Sequence, residues 1–117
     1  MASLSAEGGE PVFGQLGTYL WGNGGSQAGW LRGAPITVGT GEPLLVRFEP
    51  ETRLLRWRAR YVKANSDGPS GAKRLGSGDA AEPSFKAPRT GRWTLELSVE
   101  FAAAQGTASY AWLLEVK

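Results

Sequence analysis

The sequence predicts an all-β fold, a two-sheet antiparallel β-sandwich of about seven strands. Three observations carry this. Between residues 92 and 101, Trp93, Leu95, Leu97, Val99 and Phe101 alternate with Thr94, Glu96, Ser98 and Glu100, the period of a strand with one face buried. Seventeen glycines and seven prolines are scattered along the 117 residues instead of forming one linker, so turns recur between short apolar runs. No segment carries a long helical period closed by caps. The alanines at 102–104 make one turn before Gly106, too little for a stable helix.

In chain order, residues 1–10 (MASLSAEGGE) read as a flexible N-terminal lead and residues 11–117 as a single β-sandwich domain. Weak strands are expected at 12–21 and 35–38. Residues 43–49 set Leu44, Val46 and Phe48 against Leu45, Arg47 and Glu49, and 49–52 is the turn that follows. Residues 54–62 put Leu55, Trp57, Ala59 and Tyr61 on one face and Arg56, Arg58 and Arg60 on the other. Residues 63–81 are mostly turn formers and read as a long mobile loop with room for a short edge strand near 73–75. A short strand at 83–86 comes next. Pro88 to Gly91 then turn the chain into 92–101, and 102–106 closes a hairpin onto 107–116, where Tyr110, Trp112, Leu114 and Val116 share a face.

Cysteine and histidine are both absent. The chain therefore has no disulfide frame, no thiolate nucleophile and no imidazole base, which excludes Ser-His-Asp and Cys-His mechanisms. Glu96 and Glu100 would stand about 13 Å apart along one strand, too far for a glycosidase pair. On these grounds no catalytic residue, metal or cofactor is expected, and the chain reads as not an enzyme. The formal net charge is +2, an imbalance too small to imply nucleic acid. No apolar run reaches the ~20 residues of a membrane span, so no membrane insertion is expected. Residues 1–11 lack the basic start and apolar stretch of a signal peptide, which suits a cytoplasmic chain or a piece of an exported one.

The passage Phe85-x-Ala-Pro88-x-x-Gly91-x-Trp93-x-Leu95-x-Leu97-x-Val99, followed by Gly106-x-Ala-x-Tyr110-x-Trp112-x-Leu-x-Val116, resembles the closing strands of bacterial immunoglobulin-like and fibronectin type III-like domains. Trp57 sits where such folds often keep a core tryptophan. The resemblance implies an immunoglobulin-like sandwich whose third strand pairs with its sixth. It also implies an extracytoplasmic or cell-surface setting. Such folds serve many functions, so the site must be argued separately.

Two constellations are candidates. Arg56, Arg58 and Arg60 form a possible anion stripe for nucleic acid, acidic polysaccharide or phospholipid. If the third strand pairs with the sixth, Glu96, Ser98 and Glu100 face them and cross-strand pairs neutralise most of the stripe. Trp57, Trp93 and Trp112 lie on inward faces and read as core. Trp21 and Trp30 instead flank a polar, glycine-rich loop containing Asn23 and Gln27, with Tyr19 just before it. Aromatic rings beside amides suit stacking on sugars or gripping an extended peptide. The leading expectation is a non-enzymatic binding or spacer module with a protein or polysaccharide partner. One alternative is a carbohydrate-binding module using Tyr19, Trp21, Asn23, Gln27 and Trp30. The other is a homo-oligomeric assembly domain, motivated by the outward Ala111 and Leu113. The oligomeric state is left open.

Overall fold

Residues 2–6, 9–21, 24–26, 33–48, 53–65, 68, 70–79, 82–102 and 106–117 are described by a computed structural model, with the backbone alone for 18–21 and 24–26. Period-two alternation sorts them into two sheets. The smaller contains β1 (Ser3–Ala6), β2 (Val12–Phe13), β6 (Pro43–Arg47) and β9 (Ser84–Lys86), in the order β2-β1-β6-β9. The larger contains β3 (Gln15–Trp21), β4 (Gly24–Ser26), β5 (Ala34–Val38), β7 (Leu54–Lys63), β8 (Lys73–Gly78), β10 (Gly91–Phe101) and β11 (Gly106–Val116). Its order is β4-β3-β11-β10-β7-β8, with β5 also beside β11.

The all-β sandwich is as expected, but the described residues form eleven strands, not about seven. Residues 12–21, expected as one strand, form two, β2 and β3, and β1, β4 and β8 are additional. Residues 3–6, assigned to a flexible lead, pair with β6 from Ser3↔Arg47 to Ala6↔Leu44. Leu4 and Ala2 are fully buried, so their apolar surface leaves water against the core, about 1.5–3 kcal/mol for a leucine. Residues 73–78, where the expected loop left room for a short edge strand near 73–75, form the edge strand β8 and pair with β7. The turn expected at 49–52 lies outside the described residues.

The core lies between the sheets. Trp93, Leu95, Leu97 and Val99 of β10 and Tyr110, Trp112, Leu114 and Val116 of β11 face Leu4, Leu44, Val46 and Phe85. Trp57, Trp93 and Trp112 are all buried, as their alternation predicts. The hairpin of β10 and β11 is in register from Gly91↔Val116 to Phe101↔Gly106.

Strand β11 changes partners along its other edge. Its first half pairs antiparallel with β3, ending at Ala111↔Gln15. Its second half pairs parallel with β5, starting at Trp112↔Ala34. Trp112 sits at the changeover and is fully buried, its Nε1 donating to the Val12 carbonyl at 2.8 Å. Two glycines make room for it. A Cβ on Gly14 would lie 2.6 Å from the indole, and one on Gly33 only 2.4 Å from the Trp112 backbone. Gly33 also has φ of +100°, where a side chain is strained. Its N–H donates to the Gln15 Oε1 at 3.2 Å, tying the start of β5 to β3.

These contacts separate two costs of glycine replacement. Gly41 also has a positive φ, +70°, but nothing lies within 4 Å of the Cβ it would carry. Gly41→Ala is expected to lower unfolding free energy by about 1–2 kcal/mol, the backbone cost alone. Gly33→Ala should add a steric cost of about 1–3 kcal/mol to that, because backbone cannot swing aside. Urea unfolding of both variants measures the difference, and equal losses would remove the steric role given to Trp112.

Candidate functional site

The face of the larger sheet turned away from the core carries the arginines. On β7, Trp57 and Ala59 point inward and are buried, which leaves Arg56, Arg58 and Arg60 on the exposed side. Strand β7 pairs with β10, and the register sets Arg56 opposite Glu100, Arg58 opposite Ser98 and Arg60 opposite Glu96. Two of these pairs close as ion pairs. Arg56 Nε lies 3.1 Å from Glu100 Oε2. Arg60 Nη2 and Nε lie 2.6 and 2.7 Å from the same oxygen, Glu96 Oε1. The Glu96 side chain is 17% exposed, against 43% for Glu100, so the Arg60 pair is the better shielded from solvent. Cross-strand neutralisation therefore takes up Arg56 and Arg60 but not Arg58, whose other neighbour, on β8, is Ser77.

Strand β8 adds a cation missing from the stripe read in the sequence. Arg74 lies directly opposite Arg60. Arg58, Arg60, Arg74 and Ser98 line a cleft of about 320 Å³ over β7. An adjoining cleft of about 340 Å³ reaches across β10 to Thr107 and Ser109 of β11. The sequence signal for Arg74 was the short Lys-Arg-Leu run in a segment of turn formers, too brief to fix a face.

A third, larger cleft of about 470 Å³ opens at the end of this sheet, lined by Lys63, Asn65, Arg89, Arg92, Trp93 and Leu113, among others. Its cations are partly engaged. The Arg89 guanidinium stands 4.9 Å from the centre of the Trp93 ring, whose Nε1 donates to the Arg89 carbonyl at 2.9 Å. Arg92 Nε lies 3.6 Å from Glu115 Oε1. Ala111 is buried and Leu113 half-buried, so the outward pair that motivated an assembly domain is not an open apolar face.

The aromatic candidates divide. Tyr19 and Trp21 lie on β3, their backbones paired with Ser26 and Gly24 of β4, and Tyr19 also with Ala108 of β11. The structure thus brings these two to one strand beside an edge of the larger sheet. Asn23, Gln27 and Trp30 lie outside the described residues. Among the aromatic rings whose surroundings are described, Phe48 meets Phe101 and Tyr110 edge-on, Trp57 packs on Phe85, and Tyr61 meets Trp93 at 5.2 Å. Only Phe13 of that set is open, at 60% exposure.

No protein-family model and no curated protein matches the chain. The resemblance to immunoglobulin-like and fibronectin type III-like domains therefore stands as a likeness of sandwich architecture. Solved structures do share the fold. The catalytic domain of a lytic polysaccharide monooxygenase (LPMO) from Listeria monocytogenes matches with a TM-score of 0.58 at 13% identity, over 73% of this chain and 61% of its own. A CBM33 polysaccharide monooxygenase matches with a TM-score of 0.56 at 11% identity, over 71% of this chain and 60% of its own. A Bacillus amyloliquefaciens CBM33 in complex with Cu(I) matches with a TM-score of 0.56 at 10% identity, over 73% of this chain and 57% of its own. This chain spans about three fifths of the length of those proteins.

These neighbours are enzymes, and they correct the expectation of a non-enzymatic binding or spacer module. That expectation, and the reading of the chain as not an enzyme, rested on the missing nucleophile–base systems. Oxidation by a monooxygenase belongs to a different chemical class, so their absence does not set this sandwich apart from an enzyme fold. Copper itself is another matter. Cu(I) is held by thiolate, thioether or imidazole, and this chain has no cysteine, no histidine and one methionine. Its side chains do not fit the ion that one neighbour carries.

The exposed ion pairs should be weak. Glu96→Gln and Glu100→Gln are each expected to lower unfolding free energy by no more than about 1 kcal/mol, measured in urea. A loss of about 3 kcal/mol from either would mark the pair as buried structure instead of surface charge.

Proposed function

We propose that this chain is a polysaccharide-binding β-sandwich domain that works outside the bacterial cytoplasm. The observation that carries this reading is how the aromatic rings are allotted. The chain has twelve. Phe48, Trp57, Tyr61, Phe85, Trp93, Phe101, Tyr110 and Trp112 are buried or half-buried in packing. Of the others, Phe13 is exposed, and Tyr19, Trp21 and Trp30 fall within twelve residues of sequence. These last three share one segment with the amides of Asn23 and Gln27, and a sugar needs both an apolar plane and polar groups that fix its hydroxyls. Further support is the fold likeness to polysaccharide monooxygenases. The fold neighbours are thus the reason to choose sugar over an extended peptide as the ligand of this segment.

Depletion from solution by insoluble cellulose and chitin, with fluorescence titration by soluble glucans, tests the reading. At least one polysaccharide should bind, and Trp21→Ala or Trp30→Ala should weaken it at least tenfold, about 1.4 kcal/mol. Unfolding curves check that the variants remain folded. Wild-type protein that is folded yet binds no polysaccharide in the panel would overturn the proposal. Binding that survives loss of Tyr19, Trp21 and Trp30 together would move the site elsewhere.

A further inference from the structure

We infer that the arginine face of the larger sheet selects carboxylate-bearing polysaccharides, through Arg58 and Arg74 and not through the stripe as a whole. This rests on the polysaccharide reading above and names the class of glycan. Arg56, Arg58, Arg60 and Arg74 share this face with the carboxylates of Glu96 and Glu100. The surplus of two positive charges equals the formal net charge of the entire chain, concentrated on one side of one sheet. Ion pairs occupy Arg56 and Arg60. Arg58 and Arg74 have no carboxylate partner among the described residues, and both line the cleft that also holds the hydroxyl-bearing Ser98.

The position of Arg74 is set by a bulge. From Arg58↔Ser77 and Ala59↔Gly76 a regular ladder would continue to Arg60↔Leu75. The register instead slips by one residue, so that Arg60 meets Arg74 and Leu75 turns to pack against the core. A bulge of this kind re-aims side chains, here sending a leucine inward and an arginine out. The result sets two guanidinium groups directly opposite each other, an arrangement that opposes folding. Glu96 offsets one of those charges. Departures from local stability of this kind are expected at functional sites, and an anion is the ligand that would relieve this one.

Carboxylate is the matching chemistry. A guanidinium offers a planar fork of donors that grips a carboxylate through two parallel hydrogen bonds, and it keeps its charge at any working pH. Side chains on the neighbouring strands β7 and β8 of an open sheet face suit an extended acidic chain better than an enclosed small molecule. The cleft at the sheet end is less suited, since Arg89 is committed to Trp93 and Arg92 to Glu115.

Titration of the full chain with soluble alginate, neutral laminarin and a DNA oligomer of matched charge tests the inference, at low and at raised sodium chloride. Alginate should bind at least tenfold more tightly than laminarin at low salt, and the preference should shrink as salt screens the face. Arg58→Gln with Arg74→Gln should abolish the preference while leaving laminarin affinity unchanged. Because Arg74→Gln removes a like-charge opposition, its thermal midpoint should equal or exceed that of the parent. Equal affinity for alginate and laminarin, or a preference that survives the double variant, would overturn the inference and leave the polysaccharide reading standing. DNA bound more tightly than alginate would overturn it in favour of a general polyanion face. If neither glycan binds, this inference fails, and depletion by cellulose and chitin decides separately whether the polysaccharide reading stands.

Discussion

The fold depends on the partner change along β11. One strand forms a full hairpin with β10 on one edge, yet on the other it must hold two different strands in turn, one antiparallel and one parallel. Trp112 sits where the exchange happens, and its position fixes what both newcomers can be. Gly14, just before β3, lies against its indole, and Gly33, just before β5, crosses its backbone. No other residue type fits both the space and the positive φ at Gly33. The Trp112 indole N–H also reaches the Val12 carbonyl on β2, so this one side chain touches the smaller sheet as well. Burial of a large ring, a hydrogen bond for its polar edge and two close backbone approaches act together, which is why the changeover can be sharp.

A core built this way leaves the outer face of the larger sheet free to be polar. Its ion pairs lie on the outer face, where such pairs are expected to contribute little to stability. The bulge on β8 ties this face to the core. Packing Leu75 inward contributes apolar burial, and the same slip turns Arg74 onto a face already rich in arginine. Core packing and surface charge are thus coupled through a single inserted residue. A change at Leu75 would disturb both, whereas a change at Arg74 alone would leave the core intact.

Much of this was legible in the sequence wherever alternation ran long enough. Ten residues of strict period two fixed which side of β10 is buried, and the arginine run did the same for β7. The pairing of Arg56 with Glu100 and Arg60 with Glu96 followed from the face assignment once the third-to-sixth strand pairing was assumed. Shorter or non-local features were less legible. Leu4 is one apolar residue in a polar stretch, and its burial comes from Val46 and its neighbours more than forty residues away. The short edge strand expected near 73–75 is present but runs on to Gly78, an extent that its few large side chains and the bulge conceal. The parallel placement of β5 turns on the φ of Gly33, which composition does not reveal. For the aromatic segment, the expected strand at 12–21 is present as β2 and β3, and β3 carries the backbones of Tyr19 and Trp21.

Likeness of fold and likeness of chemistry separate cleanly in this chain. The sandwich matches proteins that oxidise polysaccharides, and a sheet scaffold with a broad exposed face can be carried between proteins independently of the groups placed on it. Copper cannot be carried over in the same way, because a metal site is a set of particular donor atoms. Eleven acidic residues give the chain oxygen donors, which suit hard cations such as calcium, magnesium and manganese. Sulfur and imidazole donors, which select copper, are reduced to one methionine. What the chain shares with them is the sandwich architecture. The groups the chain itself places on that architecture are different ones, four arginines on the outer face of the larger sheet.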